Sequence, residues 1–427
     1  MSSLIALVLA GFVTAGSQDS YAALLQARDV ADALAAVKAN EAWVVDQQIA
    51  LCEIEAPPFK EQKRAEALKA VFESLELRNV RIDAEGNVLG ERPGTARASG
   101  TLPGDAPHLV FSAHLDTVFP EGTAVEVTRT GEGGAVLAGP GIGDDCRGLA
   151  VVLGVIRAMK DAGVSTPGPI TFVGTVGEEG LGDLRGVKHL FNTELKGKID
   201  RFVSVDGSGY GITHVAVGSR RYRVTFTGPG GHSFGHFGNA NPIHALGRAI
   251  PAFADFTVPA EPKTTFSVGR VGGGTSVNSI AFEAWMEVDM RSVSAEALGD
   301  LDARFNKTMQ AALAAENARW QNKGAIAVDV KLVGDRPAGR IPDDEEVVRA
   351  AVAVTKALGL PASLDAGSTD ANVPINLRIP AITIDGGGRG TGAHSLDETF
   401  DTTDSWKGTQ RALLVGIALP RRPSKGR

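Results

Sequence analysis

The stretch Phe111-Ser112-Ala113-His114-Leu115-Asp116, which ends an apolar run beginning near Leu109, decides how the rest of the chain is read. A run of this kind reads as a strand, and strand side chains alternate with a period of two. His114 and Asp116 therefore point to the same side where the strand runs out. A neutral imidazole binds a transition metal through one nitrogen, and a carboxylate two residues on can take the other N–H, fixing tautomer and ring direction. The same pair is also an ordinary polar strand end, so the metal reading depends on partners elsewhere in the chain.

Working outward, strands and helices alternate. Ala22 to Leu77 has helical rhythm, broken at Ala56-Pro57-Pro58 because proline removes a donor and clashes with the preceding turn. Short strands follow from Val80 to Leu89 around the turn Glu85-Gly86-Asn87, then a Gly- and Pro-rich loop over 93–107. Beyond the His114 strand come a helix over Gly148 to Ala162, a strand Ile170 to Val176, a helix around Gly186 to Glu194 and a strand Phe202 to Asp206. This order predicts an α/β domain with a largely parallel central sheet, in which ligands gather at the carboxyl ends of strands. His114, Glu178, Glu179 and Asp206 all fall at such ends.

The rhythm changes near Val215 and returns after Gly334. Between them the order is β-α-β-β-α-β, with strands at Tyr222 to Phe226, Thr265 to Val271, Ala281 to Met290 and Ile326 to Val333. Helices are predicted at Asn241 to Phe253 and Ala295 to Trp320. That is a ferredoxin-like unit of about 120 residues, a usual domain size, inserted into the α/β domain. The expected division is a main domain over 17–214 and 335–427 and an inserted domain over 215–334.

Composition bounds the function. The 427 residues are 43% hydrophobic and 22% charged, enough for two cores. A net charge of -7, with no basic and aromatic patch, argues against nucleic-acid binding. Two cysteines, Cys52 and Cys146, define neither a disulfide framework nor a Cys-type zinc motif. Leu4 to Val13 is an apolar run of signal-peptide length followed by small residues, so residues 1–16 read as a signal peptide and imply a periplasmic or secreted protein. No Lys or Arg precedes that run, and if it is instead the start of a helix the protein is cytoplasmic. The run is too short to span a bilayer, and no other segment has membrane length.

Further groups could join His114: Asp144 in the turn Gly141-Ile142-Gly143-Asp144-Asp145, the adjacent Glu178 and Glu179, Asp206, and His394 in Gly392-Ala393-His394-Ser395. The motifs HLD, GIGDD, GEEG, SVDG and GAHS, in this order and with a domain inserted between the last two, closely resemble the M20 family of dizinc peptidases and deacylases. The resemblance runs from about Glu41 to the C-terminus. It implies two zinc ions per subunit, one held by His114, Asp144 and Asp206, the other by Asp144, Glu179 and His394. It also implies that Asp116 orients His114 and that Glu178 is the general base. Histidine and carboxylate ligands also suit Co2+ or Mn2+. Gly228-Pro229-Gly230-Gly231-His232-Ser233 resembles the family's lid loop, whose histidine stabilises an oxyanion, often in the partner subunit. Asn278 and Arg291 resemble substrate-binding residues, and Gly367-Ser368-Thr369-Asp370-Ala371 a loop lining the cleft.

Two departures stand out. Cys146 replaces a lysine found in many members and reads as a small residue packed under the loop. The acid at 206 is Asp, which resembles the aminopeptidase and dipeptidase branch. The expected function is thus hydrolysis of short peptides by an aminopeptidase or dipeptidase. The alternatives are an N-acyl-amino-acid deacylase or carboxypeptidase of the same family, or an inactive peptide-binding homologue. Expected partners are a short peptide or N-acyl amino acid and a second copy paired through the inserted domain, with no nucleic acid or membrane.

Overall fold

The computed structural model describes residues 24–95 and 106–421. The signal-peptide reading and most of the loop expected over 93–107 lie outside them. Three adjacent strands, Ile170–Thr175, Leu109–His114 and Arg201–Val205, run parallel at the centre of a nine-stranded sheet, and every residue in them is buried. Buried on both faces, they need no polar alternation, which is why they read as continuous apolar runs. Ala381–Ile384 continues the parallel set beside Arg201–Val205.

The margins of this sheet depart from the parallel expectation. Arg78–Ile82 and Val88–Arg92 form a hairpin that joins Ile170–Thr175 antiparallel. A hairpin needs only a tight turn, whereas a parallel neighbour needs a crossover of a dozen or more residues. On the other side Gly211–Ala216 pairs antiparallel with Ala381–Ile384 and parallel with Ser363–Gly367. The sheet is mixed, with a parallel centre.

The helix Cys146–Asp161 is buried on nearly all sides, as a helix wedged between sheet and outer helices must be. Its N-cap is Asp145, whose carboxylate accepts from the Gly148 N–H at 2.9 Å. Helices Arg28–Ala39, Glu41–Cys52 and Gln62–Ser74 match the expected helical region and its break.

A second hydrophobic core lies on a separate four-stranded sheet. Strands Thr264–Gly273, Glu283–Ser292, Gly218–Thr227 and Ala327–Arg336 lie in that order, all antiparallel. In Glu283–Ser292 every second residue is buried, so Ala284, Met286, Val288 and Met290 face the helices Pro242–Ala254 and Ala295–Arg319. Phe253 packs against Phe256, Phe266 and Phe305 at ring-centroid distances of 5.2, 4.7 and 5.1 Å. Among the described residues no helix is long and apolar enough to cross a membrane.

A small sheet of three-residue strands was not foreseen. Arg389–Thr391, Thr399–Asp401, Val136–Ala138 and Thr128–Thr130 pair in that order. It brings the segment carrying His394 alongside the loop that leads to Asp144.

Candidate metal centre

The three central strands end together. His114 pairs with Thr175, three residues before Glu178, and Asp206 follows directly on Val205. The parallel register thus delivers an imidazole and three carboxylates to one sheet edge, the usual place for a ligand in an open α/β sheet.

His114 is 2% exposed. Its Nδ1 lies 2.9 Å from the carbonyl oxygen of Asp116, while Asp116 Oδ1 is 3.7 Å away. The imidazole thus bonds the Asp116 carbonyl while the Asp116 carboxylate also lies beside the ring. That carboxylate accepts from the N–H groups of Glu178 and Glu179 as well, at 3.0 and 2.7 Å. Those N–H groups lie past the end of the Ile170–Thr175 strand and have no ladder partner, so a buried acceptor satisfies them.

His114 Nε2 then faces Asp144 Oδ1 at 3.0 Å and Asp206 Oδ1 at 3.9 Å. His394 Nε2 lies 3.0 Å from Asp144 Oδ2 and 3.0 Å from Glu179 Oε1. Asp144 thus stands between two imidazoles and offers one oxygen to each. The donor atoms of Asp144, Glu179 and His394 lie within 4.8 Å of one another, as do those of His114, Glu178 and Glu179 and those of His114, Asp145 and Asp206.

The electrostatics test whether this cluster suits a cation. A nitrogen facing two carboxylates at 3.0 Å must carry a proton or share a positive ion with them. Bonds from Asp144 and Glu179 accordingly push His394 up to about 10. Burial pulls the His114 imidazole down, but Asp116 and Asp144 outweigh it and hold it well above its usual range. Burial, then the negative Asp144, raise the Asp206 carboxyl to about 7. Burial also pushes Asp144 upward, but His114 and His394 reverse this and hold it below the usual carboxylate range. Excess negative charge around two imidazole nitrogens is what divalent cations would neutralise, and the donor set fits them.

Asp145 was not singled out in the sequence. Its carboxylate accepts from the backbone N–H of His114 at 3.1 Å, Gly148 at 2.9 Å and Gly207 at 3.3 Å, so it ties two strand ends to the helix start. Cys146 is fully buried with Val45, Cys52, Leu137, Ile142 and Phe400, as the packing reading expects.

Arg336 was also missed. It ends the last strand of the inserted unit, and its Nη1 donates to Glu178 Oε1 at 3.0 Å and to Ser368 Oγ at 3.2 Å. Its Nη2 donates to the Glu178 carbonyl. Burial drives the Glu178 carboxyl well above its usual range, with Arg336 opposing. The 367–371 loop reaches this site through Ser368 and through Asp370, whose Oδ2 accepts from Thr175 Oγ1 at 2.5 Å.

His232, Asn278 and Arg291 make local contacts of their own. His232 ends a two-residue strand paired with Ser279, and the Ser233 N–H donates to the Asn278 carbonyl at 2.9 Å, so His232 and Asn278 are neighbours. His232 is exposed, and its N–H donates to His236 Nδ1 at 3.0 Å. Arg291 pairs with Asp289 at 2.7 Å. Among the described residues no hydrogen bond or ion pair links any of the three to the ligand candidates.

Residues 110–415 match the family described as Peptidase family M20/M25/M40. Carboxypeptidase G2 of Pseudomonas sp. (strain RS-16) is 27% identical over 268 residues, covering 60% of this chain and 61% of that protein's own length. A tripeptidase from Staphylococcus aureus superposes with a TM-score of 0.71 at 23% identity, covering 90% of this chain and 99% of that one. The YXEP protein of Bacillus subtilis, described as a dinuclear metal binding peptidase from the M20 family, superposes with a TM-score of 0.62 at 16% identity, covering 90% and 99%.

Proposed function

The chain belongs to peptidase family M20/M25/M40, a family of metal-dependent hydrolases, and on that premise we propose that it cleaves the amide bond of short peptides at a two-metal site. The observation that carries this reading is Asp144, which offers one oxygen to each of two imidazoles at 3.0 Å. On this reading His114, Asp144 and Asp206 hold one ion and Asp144, Glu179 and His394 the other. Zn2+ is the first choice, and Co2+ or Mn2+ would suit the same donors. When bound, such a pair of ions polarises the scissile carbonyl and makes water a better nucleophile.

The protein's own groups do the rest. Glu178, next to a ligand but held by Arg336, takes the proton of the attacking water on a carboxylate oxygen and passes it to the leaving nitrogen. Its burial, which raises its pKa, suits a group that must both accept and release a proton. His232 donates to the developing oxyanion, from the same chain or from a second copy. Asn278 and Arg291 hold the substrate, Arg291 through paired hydrogen bonds to a carboxylate. A homodimer through the inserted unit belongs to this reading, supported by its edge strand Thr264–Gly273 with Val271 exposed.

Aspartate at position 206 favours aminopeptidase or dipeptidase action. The similarity to carboxypeptidase G2 favours a second reading, carboxypeptidase or N-acyl-amino-acid deacylase. Cleavage of a panel of di- and tripeptides with free and blocked termini decides between them. A free amino terminus should be required; cleavage of N-acylated substrates alone would move the assignment to the second reading.

A further inference from the structure

Glu398 lies four residues beyond His394 and is 1% exposed. Its side chain faces the Gly-rich loop that carries Asp144. Oε2 accepts from the Gly141 N–H at 2.8 Å, and Oε1 accepts from the N–H groups of Gly143 and Asp144 at 2.8 and 2.9 Å. The Glu398 carbonyl accepts from the Gly139 N–H at 3.0 Å. Among the described residues no cation pairs with it. A buried carboxylate without a counter-ion persists only where other donors solvate it, and here backbone N–H groups of one loop do so.

The loop is shaped for this approach. A Cβ on Gly143 would sit 2.9 Å from Glu398 Oε1, and one on Gly141, whose φ is +80°, would sit 2.7 Å from Thr117 Cγ2. Three glycines in six residues leave the free loop many conformations, and ordering it costs backbone entropy. The same segment continues into Thr399, which pairs with Ala138 just before the loop. One short stretch therefore carries His394 and grips the backbone of Asp144.

We propose that Glu398 is a positioning residue that pre-forms the Asp144 loop, so that the Asp144 oxygens face His114 and His394 before a metal arrives. The inference rests on Asp144 being a metal ligand, as proposed above. Glu398 touches neither substrate nor reacting atoms; it acts through the loop's N–H groups.

The test is Glu398→Gln, which keeps the shape but turns one acceptor oxygen into an N–H donor facing the loop. Zn2+ affinity of the apoprotein is measured by competition with a chromophoric chelator, and folding by circular dichroism and by amide protection of Leu109–His114. A folded Glu398→Gln should bind Zn2+ about 10–100-fold more weakly, the usual effect of removing a group that orients a ligand, with Glu398→Asp between the two. A folded Glu398→Gln with wild-type Zn2+ affinity overturns the proposal. Should this variant not fold, hydrogen exchange on the wild-type apoprotein decides. Slow exchange at Gly141, Gly143 and Asp144 supports it, and exchange at the intrinsic rate of an unstructured amide overturns it. A wild-type protein that binds no Zn2+, Co2+ or Mn2+ would instead sink the ligand assignment of Asp144 itself, an outcome distinct from equal affinities in wild type and variant.

Discussion

His394 Nε2 lies 3.0 Å from Asp144 Oδ2, joining residues 250 positions apart in the chain. His394 is half exposed and sits on a turn with φ of +65°, a backbone conformation that is uncommon outside glycine. Its place depends on the small sheet that clamps the segments on either side. His394→Ala should remove one of the two proposed ions and leave the other. Metal analysis of the purified variant checks this: one equivalent is expected, and two equivalents would remove His394 from the ligand set.

Glu178 is assigned as base and not as ligand, although its carboxylate neighbours the cluster. Glu178→Ala should keep both ions and lose turnover by about 10²–10⁴-fold, the range for general acid–base catalysis. Metal content and kcat measured on one preparation separate the roles, because loss of an ion would make Glu178 a ligand.

Arg336 and Glu178 form a buried ion pair, their side chains 5% and 7% exposed. Removing one partner of such a pair leaves an uncompensated charge and costs about 3–5 kcal/mol. Arg336→Met should therefore lower stability by an amount of that order in denaturant unfolding of the main domain. Arg336→Met with Glu178→Gln should recover part of the loss, and a double variant no more stable than the single one would argue against the pairing.

Glu316 gives a pH-dependent stability in the inserted unit. Its carboxylate is fully buried and accepts from the Asn241 N–H at 3.1 Å, Arg248 Nε at 2.9 Å and Trp320 Nε1 at 2.9 Å. Burial pushes this group up, but Arg248 and the other donors outweigh it, so it stays below the usual carboxylate range. A lowered folded-state pKa stabilises above the unfolded value of about 4.3 and is lost as pH falls through the folded value. Glu316→Gln should cost about 1.5–3 kcal/mol at pH 7, the range for hydrogen bonds to a charged group. The difference from wild type should shrink below about pH 4. A difference that grows in acid would reverse the sign of the account.

His232→Ala should slow turnover by about 10²–10³-fold with metal content unchanged, the effect of losing one oxyanion donor. Turnover at the wild-type rate would rule out that role for His232.

The central strands and those of the four-stranded antiparallel sheet were legible because burial leaves a periodic mark. Leu109–His114 is buried on both faces and reads as a continuous apolar run, while Glu283–Ser292 alternates strictly. Ser363–Gly367 was not legible, since this edge strand is almost wholly exposed and carries no apolar pattern. Strands of three residues, such as Val136–Ala138, are too short for any period to show. In the site, residues inside glycine-rich motifs announced themselves, whereas Arg336 and Glu398 did not. An arginine at a strand end and a glutamate after Ser-Leu-Asp look like surface charge. Only their partners, 158 and up to 257 residues distant, reveal them as buried.

The most direct test of the account is metal content and peptide hydrolysis of the wild type and Asp144→Ala, each stripped by chelator and then titrated with Zn2+. The account predicts that stripped wild type is inactive and recovers turnover on tripeptides as two equivalents bind, while Asp144→Ala fails to hold two and stays inactive. Turnover in the stripped wild type, or two tightly held ions and full activity in Asp144→Ala, would contradict it.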